Sequence, residues 1–200
     1  MGTERETTGP AAPEARPLRA DARRNRERVL QVAQEVFAAE GLSVPVHEIA
    51  RRAGVGTGTV SRHFPTKQAL FRAILLKRLH AYVRRAEALA ESEAPGEALF
   101  SYFGFLVEEG AMDRGLSDAL GGTGFDKGAI AADPDYDVTG AVGRLLARAQ
   151  RAGAVRADLE PADVMALLVG CLSRTAAPGA DGSAKRRLAE VACAGMRRTA

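Results

Sequence analysis

Three observations predict that this 200-residue chain is all-α. Apolar residues recur at spacings of three and four along most of its length. No segment alternates apolar and polar residues as a half-buried strand does. Pro, Gly and Thr stand where such segments begin and end. With 46% hydrophobic residues, the chain can bury one substantial core or two small ones.

The elements follow in order. Residues 1–19, with Pro10, Pro13 and Pro17 and few large apolar side chains, read as a disordered arm. From Ala20 to Glu40, Val29, Leu30, Ala33, Val36 and Phe37 fall at helical spacing, and Gly41 supplies a stop. Pro45 at a first helical position, then Val46, Ile49, Ala50 and Ala53, make a short second helix that ends at Gly54. A third starts near Thr57 and ends before Pro65. Thr66 caps a long fourth helix whose stripe is Phe71, Leu75, Leu79, Tyr82, Ala86 and Leu89. Beyond Pro95, helices are expected over 96–110, 113–120, 138–152, 161–176 and 183–198, with 121–137 a glycine- and aspartate-bearing connection. Two domains are therefore expected, 20–66 and 67–200.

Charge is uneven. Residues 18–80 carry twelve Lys and Arg against five Asp and Glu, whereas 81–200 carry fourteen against seventeen. A basic N-terminal module on a mildly acidic body suits a polyanion partner for that module, although on charge alone a helical face of solvated arginines is the better reading. No apolar run is long enough to span a bilayer and the N-terminus lacks the apolar region of a signal peptide, so a cytoplasmic protein without membrane contact is expected. Cys171 and Cys193 fit neither a disulfide framework nor a close-spaced zinc site, and no metal or cofactor is expected. Neither GxSxG nor HExxH occurs, since His47-Glu48 is followed by Ile-Ala-Arg, and an enzyme is not expected.

The informative stretch is GVGTGTVSRHF, residues 54–64. Its glycines follow HEIARRA, a helical segment, and not the strand a phosphate-binding loop requires. A helix-turn-helix explains them. Gly54 permits the turn by accepting positive φ, and Thr57, Gly58 and Thr59 let the second helix approach a duplex closely. Val60 and Phe64, four apart, turn inward and leave Ser61, Arg62 and His63 outward. Thr57, Thr59 and Ser61 can hydrogen-bond phosphates or bases, Arg62 can pair with guanine or phosphate, and Lys67 is a candidate phosphate ligand. Arg23, Arg24, Arg26 and Arg28 add phosphate contacts or are simply solvated.

With RERVLQVAQEVFAAEG and HEIARRAGVGTGTVSRHFPTKQALFRAIL, residues 24–80 resemble the DNA-binding domain of the TetR family of bacterial transcriptional regulators. The resemblance implies a homodimeric repressor that binds double-stranded DNA at a palindromic operator and is released by a small-molecule effector in a separate C-terminal domain. The family's DNA contacts fall on His47, Thr57, Gly58, Thr59, Ser61, Arg62, His63 and Lys67. Where members commonly have an aromatic residue within a pattern like LYRHF, this chain has Ser61. The resemblance also implies that the last two helices form a four-helix dimer interface, with Leu168, Cys171 and Leu172 on one and Leu188, Val191 and Met196 on the other. An effector pocket is expected among Leu79, Tyr82, Val83, Phe103, Leu106, Phe125 and Met165, mostly apolar, although residues of this kind are more often ordinary core than ligand contacts. The alternative is a DNA-binding regulator without a small-molecule effector, an activator or a factor controlled by a protein partner.

Overall fold

The computed structural model describes residues 15–120, 126–175 and 182–198. Among them nine α-helices follow one another, and the extended pairing is one isolated bridge between Val155 and Arg197. The all-α prediction holds. The chain divides into an N-terminal unit, residues 1–65, and a C-terminal unit, residues 66–200.

In the N-terminal unit, α1 (Ala15–Glu40) packs on α2 (Val46–Arg52) and α3 (Thr57–His63), and α2 packs on α3. Val29, Leu30, Ala33, Val36 and Phe37 of α1 are buried, as are Ile49, Ala50 and Ala53, with Val60 and Phe64. The small core is thus made from one stripe of each helix, the arrangement that the 3.6-residue period dictates. Helix α1 begins earlier than the sequence led us to expect and includes residues 15–19, which corrects that part of the arm. Pro17 is tolerated because, as the third helical residue, it occupies a first-turn position whose N–H has no intrahelical acceptor. Residues 1–14 of the expected arm lie outside the described residues. Pro45 proves to be the N-cap of α2, extended at φ −71°, ψ 149°, and its carbonyl accepts from the Glu48 and Ile49 amides. Gly41 and Gly54 have φ of +82° and +65°, the left-handed backbone that ends α1 and turns α2 into the segment before α3.

The C-terminal unit contains α4 (Lys67–Ser92), α5 (Pro95–Ala119), α6 (Lys127–Ala131), α7 (Val138–Arg151), α8 (Pro161–Thr175) and α9 (Gly182–Met196). Thr66 Oγ1 accepts from the Ala69 amide at 3.0 Å, so the expected cap of α4 is present. Helix α5 packs against α4, α7, α8 and α9. That central position follows from its composition: Ala98, Leu99, Phe100, Tyr102, Phe103, Leu106 and Val107 are all buried and point in most directions around the axis.

Two expectations are corrected here. Helix α5 runs unbroken through Gly110, so 96–110 and 113–120 are parts of one helix. Gly110 is a packing glycine: a Cβ there would come within 2.9 Å of a Leu172 methyl, so its smallness lets α8 approach. Within the expected connection, Asp126 accepts from the Gly128 and Ala129 amides and starts the five-residue α6. The chain end is fastened by backbone bonds from Arg156 N to Met196 O (3.1 Å) and from Arg198 N to Ala154 O (3.2 Å), with the Arg197 guanidinium 4.2 Å from the Phe100 ring centroid.

Candidate nucleic-acid interface

Helix α3 presents one buried and one open face. Val60 and Phe64 are buried, Thr57, Gly58, Ser61 and Arg62 are exposed, and Thr59 and His63 are half-buried. His47 is exposed on α2. Two glycines here are not required by packing among the described residues, although Gly56 is the N-cap of α3. A Cβ added at Gly56 or Gly58 would meet no heavy atom within 4 Å, and neither residue has positive φ. Lys67, the eighth candidate, is the first residue of α4 in the C-terminal unit, and its ammonium lies 5.6 Å from the Phe71 ring centroid.

The arginines of the N-terminal unit divide by their partners. Arg51 donates to both carboxylate oxygens of Glu48 at 2.8 and 2.7 Å, and Arg52 bridges Glu48 (2.7 Å) and Glu40, tying α2 to the end of α1. Hydrogen bonds from Arg51 and then Arg52 hold the Glu48 carboxyl well below its usual range, at about 2, and Arg52 lowers Glu40 in the same way. These two guanidinium groups are therefore committed within the protein. Arg24 is paired with Asp21. The Arg26 guanidinium lies 5.4 Å from the ring centroid of Phe64, which sets this arginine of α1 beside the end of α3. Arg23, Arg28 and Arg62 are exposed and have no ion-pair partner among the described residues. The Glu40–Arg52–Glu48 network was missed from sequence; its signal is the pairing of Glu48 with Arg51 and Arg52 at spacings of three and four.

In the C-terminal unit, Tyr82, Phe103 and Leu106 are buried in one apolar cluster, with Leu79 and Met165 packed partly exposed against it, and Val83 is buried on α4. Phe125 lies outside the described residues. Sequence reasoning passed over two polar groups in this region. Arg78 is buried at 9% exposure and donates through Nη2 to the Tyr82 hydroxyl (2.5 Å), the Glu109 carbonyl (2.9 Å) and Glu109 Oε2 (3.0 Å). Tyr102 is fully buried, its hydroxyl has no hydrogen-bond partner among the described residues, and burial pushes its phenol well above the usual range. Arg78 had a signal: it falls three residues after Leu75 and four before Tyr82, on the apolar stripe.

The expected interface residues divide likewise. Leu168, Cys171 and Met196 are buried within the protomer, Leu172 and Leu188 are half-buried, and Val191 is 70% exposed. The large apolar side chains left outward on α8 and α9 are Leu167, Val169 and Val191. Leu167 and Val191 line a groove that also exposes Ala166, Gly170 and Gly195. Cys171 and Cys193 are free thiols, and burial raises both, Cys193 to about 11.

Comparison with known proteins identifies the two units. Residues 29–74 match the model for bacterial regulatory proteins of the tetR family, and residues 94–198 match the C-terminal domain of SbtR-like transcriptional regulators. A TetR transcription regulatory protein from Mycobacterium vanbaalenii is similar in structure at a TM-score of 0.71 and 49% identity, over 91% of this chain and 100% of that one. The TetR transcriptional regulator SCO0520 from Streptomyces coelicolor gives a TM-score of 0.72 at 30% identity, over 88% of this chain and 99% of that one. The transcriptional regulator SrpR of Pseudomonas putida is 42% identical over 67 residues, 33% of this chain and 32% of that protein. The chain spans between a third and half of the length of the first curated relatives it matches. No described helix is long and apolar enough to cross a membrane. With both of its units matched by models of one family, and over just more than half of its length by the second alone, this chain belongs to the TetR family of bacterial transcriptional regulators.

Proposed function

We propose that the protein is a cytoplasmic homodimeric repressor that reads a palindromic operator with 20–66 and is released when a small molecule binds within 67–200. The observation that carries the DNA-reading half is α3. Its inward face is filled by Val60 and Phe64, while its outward face holds hydrogen-bonding side chains, an Arg62 with no ion-pair partner among the described residues, and Gly58, which no contact among those residues requires. Thr57, Thr59, Ser61 and His47 position the helix on phosphates, and Arg62 and His63 reach base edges. Gly58 keeps the backbone close, and Lys67 adds a phosphate contact at the head of α4. With Ser61 in place of the family's usual aromatic residue, the backbone grip depends more on charge.

Two such helices fit successive major grooves, about 34–36 Å apart, when a two-fold axis relates the subunits. The outward apolar residues of α8 and α9 support that pairing through this face, with Leu172 and Leu188 at its margin. Regulation is a coupling between sites. Helix α4 starts four residues after α3 ends and continues unbroken to Ser92, carrying Arg78, Leu79, Tyr82 and Val83 into the regulatory core. A ligand preferring a displaced α4 by about 3 kcal/mol lowers operator affinity by a bit more than 100-fold. The solved relatives include a gamma-butyrolactone receptor at 22% identity, a likeness of fold that leaves this chain's ligand to its own residues.

The test is selection of bound duplexes from random DNA by the purified protein and by Arg62→Ala. The expected result is a palindrome for the native chain and a relaxed or altered base preference for the variant. Weak, steeply salt-dependent binding with no consensus would instead make the N-terminal unit a non-specific polyanion surface.

A further inference from the structure

Residues 46–63, which make α2, the turn and α3, carry three arginines and one carboxylate, and contain no Asn, Gln or Asp. Glu48 accepts from Arg51 at 2.8 and 2.7 Å and from Arg52 at 2.7 Å, and Arg52 is also paired with Glu40. The one acid and two of the arginines are therefore spent on one another. Arg62 is exposed on α3 and has no ion-pair partner among the described residues. What is left to meet a base edge is one guanidinium, the hydroxyls of Thr57, Thr59 and Ser61, and the rings of His47 and His63. A hydroxyl donates or accepts, and a neutral imidazole does one at each nitrogen, so these groups suit several bases. The N7 and amino group of adenine call for a side-chain amide and the amino group of cytosine for a carboxylate, and the uncommitted set holds neither. The paired donors of the guanidinium match O6 and N7 of guanine.

Position bears on the same choice. Arg62 is the sixth of seven residues in α3, whereas a DNA-reading helix meets base edges with its N-terminal residues. Helical side chains lean toward the N-terminus, so Arg62 covers the turn that contains residue 58, four residues and about 6 Å back along the axis. Thr57, Gly58, Ser61 and Arg62 are exposed together on that face. Gly58 has no positive φ that would require glycine, and a Cβ there would meet no heavy atom within 4 Å. The face thus has a notch where the guanidinium needs to pass.

We propose that each operator half-site presents a guanine to Arg62 in the major groove, and that Gly58 is a specificity-determining residue whose missing side chain opens the path to it. This rests on the operator-reading function above and names the base that function depends on. A side chain at position 58 stands between the guanidinium and the floor of the groove, and leaves Arg62 only the phosphates. The Glu48 network serves the same end, because no uncommitted carboxylate remains on α2 or α3 to draw Arg62 back onto the protein.

The experiment takes the duplex selected by the full chain and replaces each guanine in turn by 7-deazaguanine and each adenine by 7-deazaadenine, in both half-sites. These analogues keep base pairing and lose only the N7 acceptor. One guanine per half-site should weaken native binding about tenfold when replaced, and no adenine by more than about twofold. Arg62→Ala should bind the unmodified duplex at least about tenfold more weakly and be indifferent to the replacement. Gly58→Ala should retain the native salt dependence while its guanine penalty shrinks to about threefold or less, which a merely structural role would not produce. Half-sites without guanine, a penalty that survives in Arg62→Ala, or an adenine penalty in place of the guanine one overturns the assignment and leaves a palindromic operator standing. An undiminished penalty in Gly58→Ala overturns the role of Gly58. Failure to select any palindrome overturns the operator reading together with the guanine.

Discussion

Gly58 stands in a seven-residue helix with ordinary φ and open space around its missing Cβ. Glycine within a helix costs about 0.5–1 kcal/mol relative to alanine, and no close contact among the described residues offsets that cost. If the offset comes from a duplex lying against α3, Gly58→Ala should raise unfolding stability by up to about 1 kcal/mol yet weaken operator binding several-fold. Denaturant unfolding and binding isotherms on the same preparation check both signs, and unchanged operator affinity would detach Gly58 from the interface. Glu48 gives a prediction in pH. Its carboxyl is held down to about 2 from an unperturbed 4.5, so its pairing with Arg51 and Arg52 stabilises the N-terminal unit fully above about 4.5 and is lost as pH falls through about 2. Glu48→Gln should therefore be less stable than the native chain at pH 6, and the two stability curves should converge toward pH 2. Because the pair is exposed to solvent, added salt should narrow the gap at pH 6.

At the scale of the element, α1 is two things joined end to end. From Val29 onward it supplies a buried stripe, whereas between Asp21 and Arg28 no residue is buried. A helical segment polar on every side gains little from its own packing. Arg23 and Arg28 lack ion-pair partners among the described residues, and Arg26 is set against Phe64 at the end of α3. Phosphate contact gives these arginines a use. Replacing Arg23 and Arg28 together by alanine should weaken binding about equally for all duplex sequences and reduce the slope of log affinity against log salt by roughly 1 to 2. Arg62→Ala should change base preference as well. A slope unaltered by the double substitution would show that this part of α1 is solvated.

For the whole molecule, the decisive surface is the one left apolar outside. Leu167, Val169 and Val191 are 39%, 53% and 70% exposed on α8 and α9, while Leu168, Cys171 and Met196 lie inside the protomer. Pairing of two copies through this face predicts that Val191→Asp yields a folded monomer. Sedimentation should show half the native mass, the far-ultraviolet helical signal should persist, and affinity for a palindrome should fall by more than tenfold as the two half-sites are no longer bound together. A Val191→Asp dimer of undiminished affinity would place the interface elsewhere.

The sequence by itself determined the helices of the N-terminal unit, the turn at Gly54, the cap at Thr66 and the inward direction of Val60 and Phe64. Each depends on a local cause: a 3.6-residue period, a left-handed backbone that glycine accepts, or a hydroxyl within reach of an amide. The tertiary structure alone decided what covers each apolar stripe. Gly110 looks like a helix stop until Leu172 occupies the space beside it, and Arg78, though its place on the apolar stripe is legible, meets Glu109 only when α5 packs on α4. The same holds for α8 and α9, where adjacent residues such as Leu167 and Leu168 go to opposite fates. Periodicity says that a face is apolar, but whether α5 or water meets it depends on chain segments tens of residues away, which local spacing does not encode.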